Sequence, residues 1–127
     1  MKFFKFWFPV ILYSGIIFYG SSIPGTDAPM PFAHFDKVVH ICEYLPYGFL
    51  VLRGLDHSLN GQWRGMLMFY AVLFVAFYGA SDELHQMFVE GRTSSFMDLL
   101  VDIIGGWLGC QLYWLFYKNK RLLNEHH

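Results

Sequence analysis

Charge is what this chain has least of. Of its 127 residues 15% are charged, where a soluble domain carries about a quarter. That deficit argues against an ordinary soluble domain and for a membrane protein. The net charge of −1 gives no basic face for nucleic acid and no acidic tail. Two cysteines, Cys42 and Cys110, are too few for a disulfide framework. No repeat or low-complexity tract interrupts the chain, and no G-x-S-x-G elbow offers a nucleophile. The closing His126 and His127 read as a tag remnant.

What is present is apolar: 55% hydrophobic and 20% aromatic residues, in a length that suits one domain. Four apolar segments stand out, at about residues 3–19, 36–55, 63–88 and 96–117. Each is roughly 17 to 26 residues, enough at about 1.5 Å per residue to cross a hydrocarbon core of about 30 Å. The second and third are broken by polar residues and score lower by hydropathy. The expectation is an all-α membrane protein, a four-helix bundle in a single domain over residues 1–127. The first segment also has features of a cleaved signal peptide, with a basic start and small residues at Gly20 and Ser22. Its aromatic-heavy core and poor cleavage site argue against that.

Lys and Arg set the orientation. With the N-terminus in the cytoplasm, the inner ends hold Lys2, Lys5, Arg53, Arg64, Lys118, Lys120 and Arg121, and the outer ends only Lys37 and Arg92. The bias places both termini in the cytoplasm. Trp63 reads as an interfacial anchor. Cys42 lies roughly 9 Å and Cys110 roughly 21 Å from the outer end at 1.5 Å per residue. Those depths do not match, so no bond joins them.

The ionisable residues gather at the outer ends. Asp36, His40, Glu43 and Tyr47 are spaced by four, three and four and share one helix face. Pro46 among them favours a kink. Tyr78, Asp82, His85 and Gln86 share a face of the third segment, with Glu83 at its flank. Asp98, Asp102, Gly105 and Gly109 form an inward stripe on the fourth, and its two glycines make a small-xxx-small pattern for close helix approach. Charges deep in a membrane cost about 2.5 to 3.5 kcal/mol each even on the lenient scale. So many acids together imply that some hold protons, share them, or bind a cation.

The stretches "DKVVHICEY" and "SDELHQMFVEGRTSSFMDLLVDIIGGWLG" resemble the VanZ-like family of small bacterial membrane proteins. The resemblance covers about residues 36–109. It rests on Asp36-Lys37-x-x-His40, on Asp82-Glu83-x-x-Gln86, on Arg92, and on Asp98 ahead of a Gly-rich helix. Asp102 departs from it, because many relatives carry Asn there, and Glu90 stands where proline is often found. The resemblance implies a multi-pass protein of the bacterial cytoplasmic membrane whose founding member is linked to teicoplanin resistance. It supplies no known reaction.

Several readings of the cluster follow. Asp36, Lys37, His40, Glu43, Asp82, Glu83, Gln86, Arg92, Asp98 and Asp102 form either a polar network that fixes helix register or a binding site. His40-x-x-Glu43 facing Asp82-x-x-His85 mimics helical metal sites, and the acids alone suit hydrated Mg²⁺ or Ca²⁺. Arg92 and Lys37 suit a phosphate or carboxylate; the bland alternatives are a headgroup anchor or an Arg92–Asp98 pair. Ser94 and Ser95 read as helix caps, His34 and His57 as loop residues, Tyr47 and Tyr78 as network or packing. The expected function is binding of a membrane lipid or lipid-linked cell-wall intermediate. The alternative is an enzyme on a lipid-linked phosphate or ester, with Asp82 or His40 beside Asp36 as base and Glu83 as acid. Proton or ion transfer is a weaker third reading, since the inner halves of the segments hold almost no polar groups.

Overall fold

The computed structural model describes residues 1–25, 29–59 and 64–125. Trp63, His126 and His127 lie outside the described residues, as do the side chains of Arg64, Lys118 and Arg121. Four helices follow in order: α1 (Lys2–Ser22), α2 (Phe35–Ser58), α3 (Arg64–Gln86) and α4 (Phe96–Glu125). No strand occurs among the described residues. Among the described residues three helical stretches are long and apolar enough to cross a membrane: Lys2–Ser22, Gly65–Gln86 and Phe96–Tyr117. α2 has the length, but Asp36, Lys37, Glu43, Arg53 and Asp56 lower its hydropathy. α4 runs eight residues past its apolar part, to Glu125.

α2 and α4 make the most extensive contact, and α1 packs on α2 and α3. The reason is the glycine stripe. A Cβ on Gly48 would stand 1.9 Å from the Gly106 carbonyl oxygen, and one on Gly109 would stand 1.8 Å from that of Leu45. At these positions the two backbones touch, as the small-xxx-small pattern requires. Cys110 is buried there and donates weakly to the Gly48 carbonyl (3.4 Å), while Cys42 is exposed. α2 continues through Pro46, which removes the helical partner of the Cys42 carbonyl. One residue on, the Tyr13 hydroxyl donates to the Glu43 carbonyl at 2.7 Å and ties α1 to this weakened turn.

The core between α1, α2 and α3 combines aliphatic side chains such as Ile17, Val51, Leu52, Leu67 and Val75 with tyrosines. Tyr44 and Tyr47 are fully buried. Tyr47 packs on Tyr78 at 4.9 Å between ring centroids and shares a 3.0 Å hydrogen bond with Ser14. The Tyr78 hydroxyl donates to the Ser14 carbonyl. Further apolar side chains cover the outward faces; Phe69, Phe77 and Phe116 are all well exposed. Apolar groups outside and polar groups inside is the arrangement a lipid solvent favours.

At the end where α1 and α3 finish, two connections clasp each other. The Gly25 amide donates to the Glu90 carbonyl at 3.0 Å. Gly91 turns the chain in the left-handed region (φ 72), and a Cβ on Gly25 would stand 1.8 Å from its carbonyl oxygen. Only glycine fits that crossing.

Candidate functional site

The polar residues of α2, α3 and α4 meet at this same end. On α2, His40 is buried two turns into the helix. Its Nδ1 lies 2.7 Å from Oδ1 of Asp102, which is fully buried on α4, and 3.8 Å from Oε1 of Glu83 on α3. Tyr44, one turn further along α2, donates to Asp82 Oδ2 at 3.1 Å, and Gln86 Nε2 donates to the same oxygen at 3.3 Å. Asp82, Glu83 and Gln86 are all buried.

The start of α4 closes the site. Ser95 accepts the Asp98 amide at 3.1 Å, so it caps the helix as the sequence suggests. Ser94 instead donates to Glu83 Oε2 at 2.9 Å and holds that carboxylate toward α4. Lys37 pairs with buried Asp98 and also reaches Asp36 at 3.0 Å. Asp36 is the more exposed of the two acids, with 43% of its side chain accessible.

Three oxygens in this cluster have no hydrogen-bond partner: Asp82 Oδ1, Glu83 Oε1 and Asp102 Oδ2. A buried acceptor left unmet costs about 1 to 3 kcal/mol, and more when charged. Asp82, Glu83 and Asp102 each bring a carboxylate oxygen within 4.8 Å of the other two, and His40, Glu83 and Asp98 form a second such group. The donor set of carboxylates with one imidazole matches a divalent cation.

Three residues lie elsewhere than the spacing suggests. His85 turns to α1, stacks on Phe18 at 4.5 Å and contacts Ser21 Oγ at 3.4 Å, so it does not join His40. The cause is the width of the inward face of α3. At about 100° per residue, His85 and Tyr78 form the edge toward α1, while Asp82, Gln86 and Glu83 sweep around toward α2 and α4. Glu43 is half-buried and turns its carboxylate toward Gly20 of α1, and it is absent from the groups of His and carboxylate ligand atoms that lie within 4.8 Å of one another. Arg92 does not pair with Asp98. Its guanidinium donates to the Gly20 and Ile23 carbonyls, both at 2.9 Å, and so caps the end of α1. The free cationic rim expected from Lys37 and Arg92 is thus committed within the protein.

The opposite end of the bundle holds further polar residues. His57 belongs to the last turn of α2, not to a loop, and stacks on Phe6 at 3.8 Å. Asp56 is buried and accepts from Tyr113 at 2.8 Å. The only hint in the sequence is an acid placed directly after Leu55, the last apolar residue of its segment.

A comparison with protein families matches the family described as VanZ/LLP1 over residues 3–117, nearly the whole chain. Comparisons with curated proteins and with solved structures give no match. The chain belongs to the VanZ-like family.

Proposed function

We propose that this VanZ-like protein crosses the bacterial cytoplasmic membrane four times, termini inside, and holds a divalent cation at the outer ends of α2, α3 and α4. Through that cation it binds the phosphate of a lipid-linked cell-wall intermediate. The observation that carries the reading is the set of three unpartnered buried oxygens on Asp82, Glu83 and Asp102, beside His40. A cation held among these three carboxylates offsets their mutual repulsion and gives their unpaired oxygens a partner. It also supplies the positive charge for a phosphate, now that Lys37 and Arg92 are engaged elsewhere. The fourth span is α2: it has 24 residues, and His40, Tyr44, Tyr47 and Asp56 are buried against its neighbours. The excess of Lys and Arg at the other end supports the orientation. Arg92 bound to the end of α1 supports retention of that helix.

Native mass spectrometry of the gently purified chain tests this. About one equivalent of Mg²⁺, Ca²⁺, Mn²⁺ or Zn²⁺ is expected, held about tenfold or more weakly by Asp102→Asn. An undecaprenyl-phosphate carrier that leaves with the metal on chelation supports the ligand. A chain that takes up none of the four ions, and melts identically with and without chelator, sinks the reading. In cells, loss of the protein is expected to shift glycopeptide susceptibility.

One observation favours an enzymatic second reading: His40 is held by Asp102 at 2.7 Å through Nδ1. With that nitrogen engaged, Nε2 is left to move a proton, the arrangement used by general bases. The reaction would be hydrolysis or transfer at a lipid-linked phosphate or ester. No turnover of such a substrate with any of the four ions removes this reading and leaves the binding one standing.

A further inference from the structure

At the end of the bundle away from the acids, the start of α1 and the ends of α2 and α4 enclose a cleft of about 840 Å³. Its basic side chains come from all three helices: Lys5 from α1, Arg53 and His57 from α2, Lys120 from α4. Among the described residues none of these is in an ion pair, and no carboxylate lines the cleft. Asp56, on the same turn of α2 as Arg53, is buried and accepts from Tyr113.

The cations are positioned rather than merely gathered. Phe6 is the platform: the Arg53 guanidinium lies 4.8 Å and the Lys5 ammonium 5.7 Å from its ring centroid, and His57 stacks on the ring at 3.8 Å. His57 Nδ1 is 2.9 Å from the Arg53 carbonyl. A carbonyl only accepts, so Nδ1 donates, and that bond fixes the ring against Phe6. Aromatic contact preserves the hydrogen-bonding edge of a guanidinium, which matches the oxygens of a phosphate. Phe49 and Tyr113 add an apolar wall, and Phe116 continues it onto the exposed face of the bundle.

We propose that this cleft is a second binding site, for a phosphate-bearing anion, formed by Arg53, Lys5, Lys120 and His57 over Phe6. It is independent of the cation site at the other end. Its volume suits a small ligand or a headgroup. The aromatic wall running out to Phe116 favours an anionic phospholipid, whose acyl chains lie along the apolar face while the phosphate enters the cleft. Free phosphate offers the same oxygens without the chains.

Two probes on the full-length chain separate these sources. In the first, the protein is placed in vesicles of equal parts phosphatidylglycerol and phosphatidylcholine, and lipid retained on extraction is counted by native mass spectrometry. In the second, inorganic phosphate is titrated into detergent-solubilised protein and ³¹P line broadening is followed. Arg53→Gln and Lys120→Gln are compared with Lys2→Gln, an exposed control that removes the same charge outside the cleft. Retained phosphatidylglycerol is expected to fall about tenfold in the two cleft variants and to hold in Lys2→Gln. A phosphate response without lipid retention, lost in the same two variants, assigns the site to free phosphate. Equal retention in all three variants, or no response to either probe, overturns the proposal. Lys120 is exposed, so its substitution reads binding even if Arg53→Gln disturbs folding.

Discussion

At one end of the bundle His40, Asp82, Glu83, Asp98 and Asp102 are buried and hold one another across three helices. At the other, Lys5 and Lys120 are exposed, Arg53 is half-buried, and their contacts are with aromatic rings and open space. The same few charges therefore act in two regimes. Buried pairs stabilise little in net terms, but removing one partner strands the other at large cost. Half-exposed cations hardly affect folding and remain available to a ligand. Loss of function and loss of fold should separate cleanly between the two ends.

Four substitutions test that contrast, from the largest effect to the smallest. His40→Ala leaves Asp102 without its partner and should destabilise the bundle by about 3 to 5 kcal/mol, read as unfolding in micelles. Gly48→Ala pushes a methyl into the Gly106 carbonyl and should cost about 1 to 3 kcal/mol. Because it lies between the ends, it should weaken cation binding and lipid retention together, which neither end alone does. Arg92→Ala removes two bonds that cap α1 and should cost about 1 to 2 kcal/mol. Proteolysis of the connection after α1 should accelerate while α2–α4 stay paired. Arg53→Gln should change stability by less than about 1 kcal/mol while its lipid retention drops. If Arg53→Gln unfolds the chain as readily as His40→Ala, the contrast between the ends is wrong.

Much of this architecture is legible in the residues. Long apolar runs give the helices, and their boundaries shift by only a few positions at most ends. Gly105 and Gly109 announce the α2–α4 contact, because a missing side chain every fourth residue has no other use on an apolar helix. The spacing of Asp36, His40, Asp82, Asp98 and Asp102 brings them to one end. What spacing leaves open is which neighbour each side chain meets. His85 and Asp82 share a stripe, but α1 takes one edge of it and α2 with α4 the other. Arg92 and Lys37 sit at the same level, and only the path of the connections decides that Lys37 takes Asp98 while Arg92 takes the end of α1. The Asp56–Tyr113 bond joins residues 57 positions apart, and no local pattern encodes it.

The least apolar helix, α2, makes its most extensive contact with the last one, α4. That has a consequence for how the protein is made. When α2 leaves the ribosome, the surface that will cover His40 and Asp56 has not been synthesised, and α1 alone cannot shield it. A helix of this composition gains little by entering lipid unaccompanied. If α2 spans the membrane as proposed, its stable insertion waits for α4, whose bare glycine stripe receives the α2 backbone and whose Asp102 and Tyr113 take up its polar groups. The chain is therefore expected to pass through a late, concerted step of membrane assembly, with α2 held at the interface or by an insertase until its partner arrives.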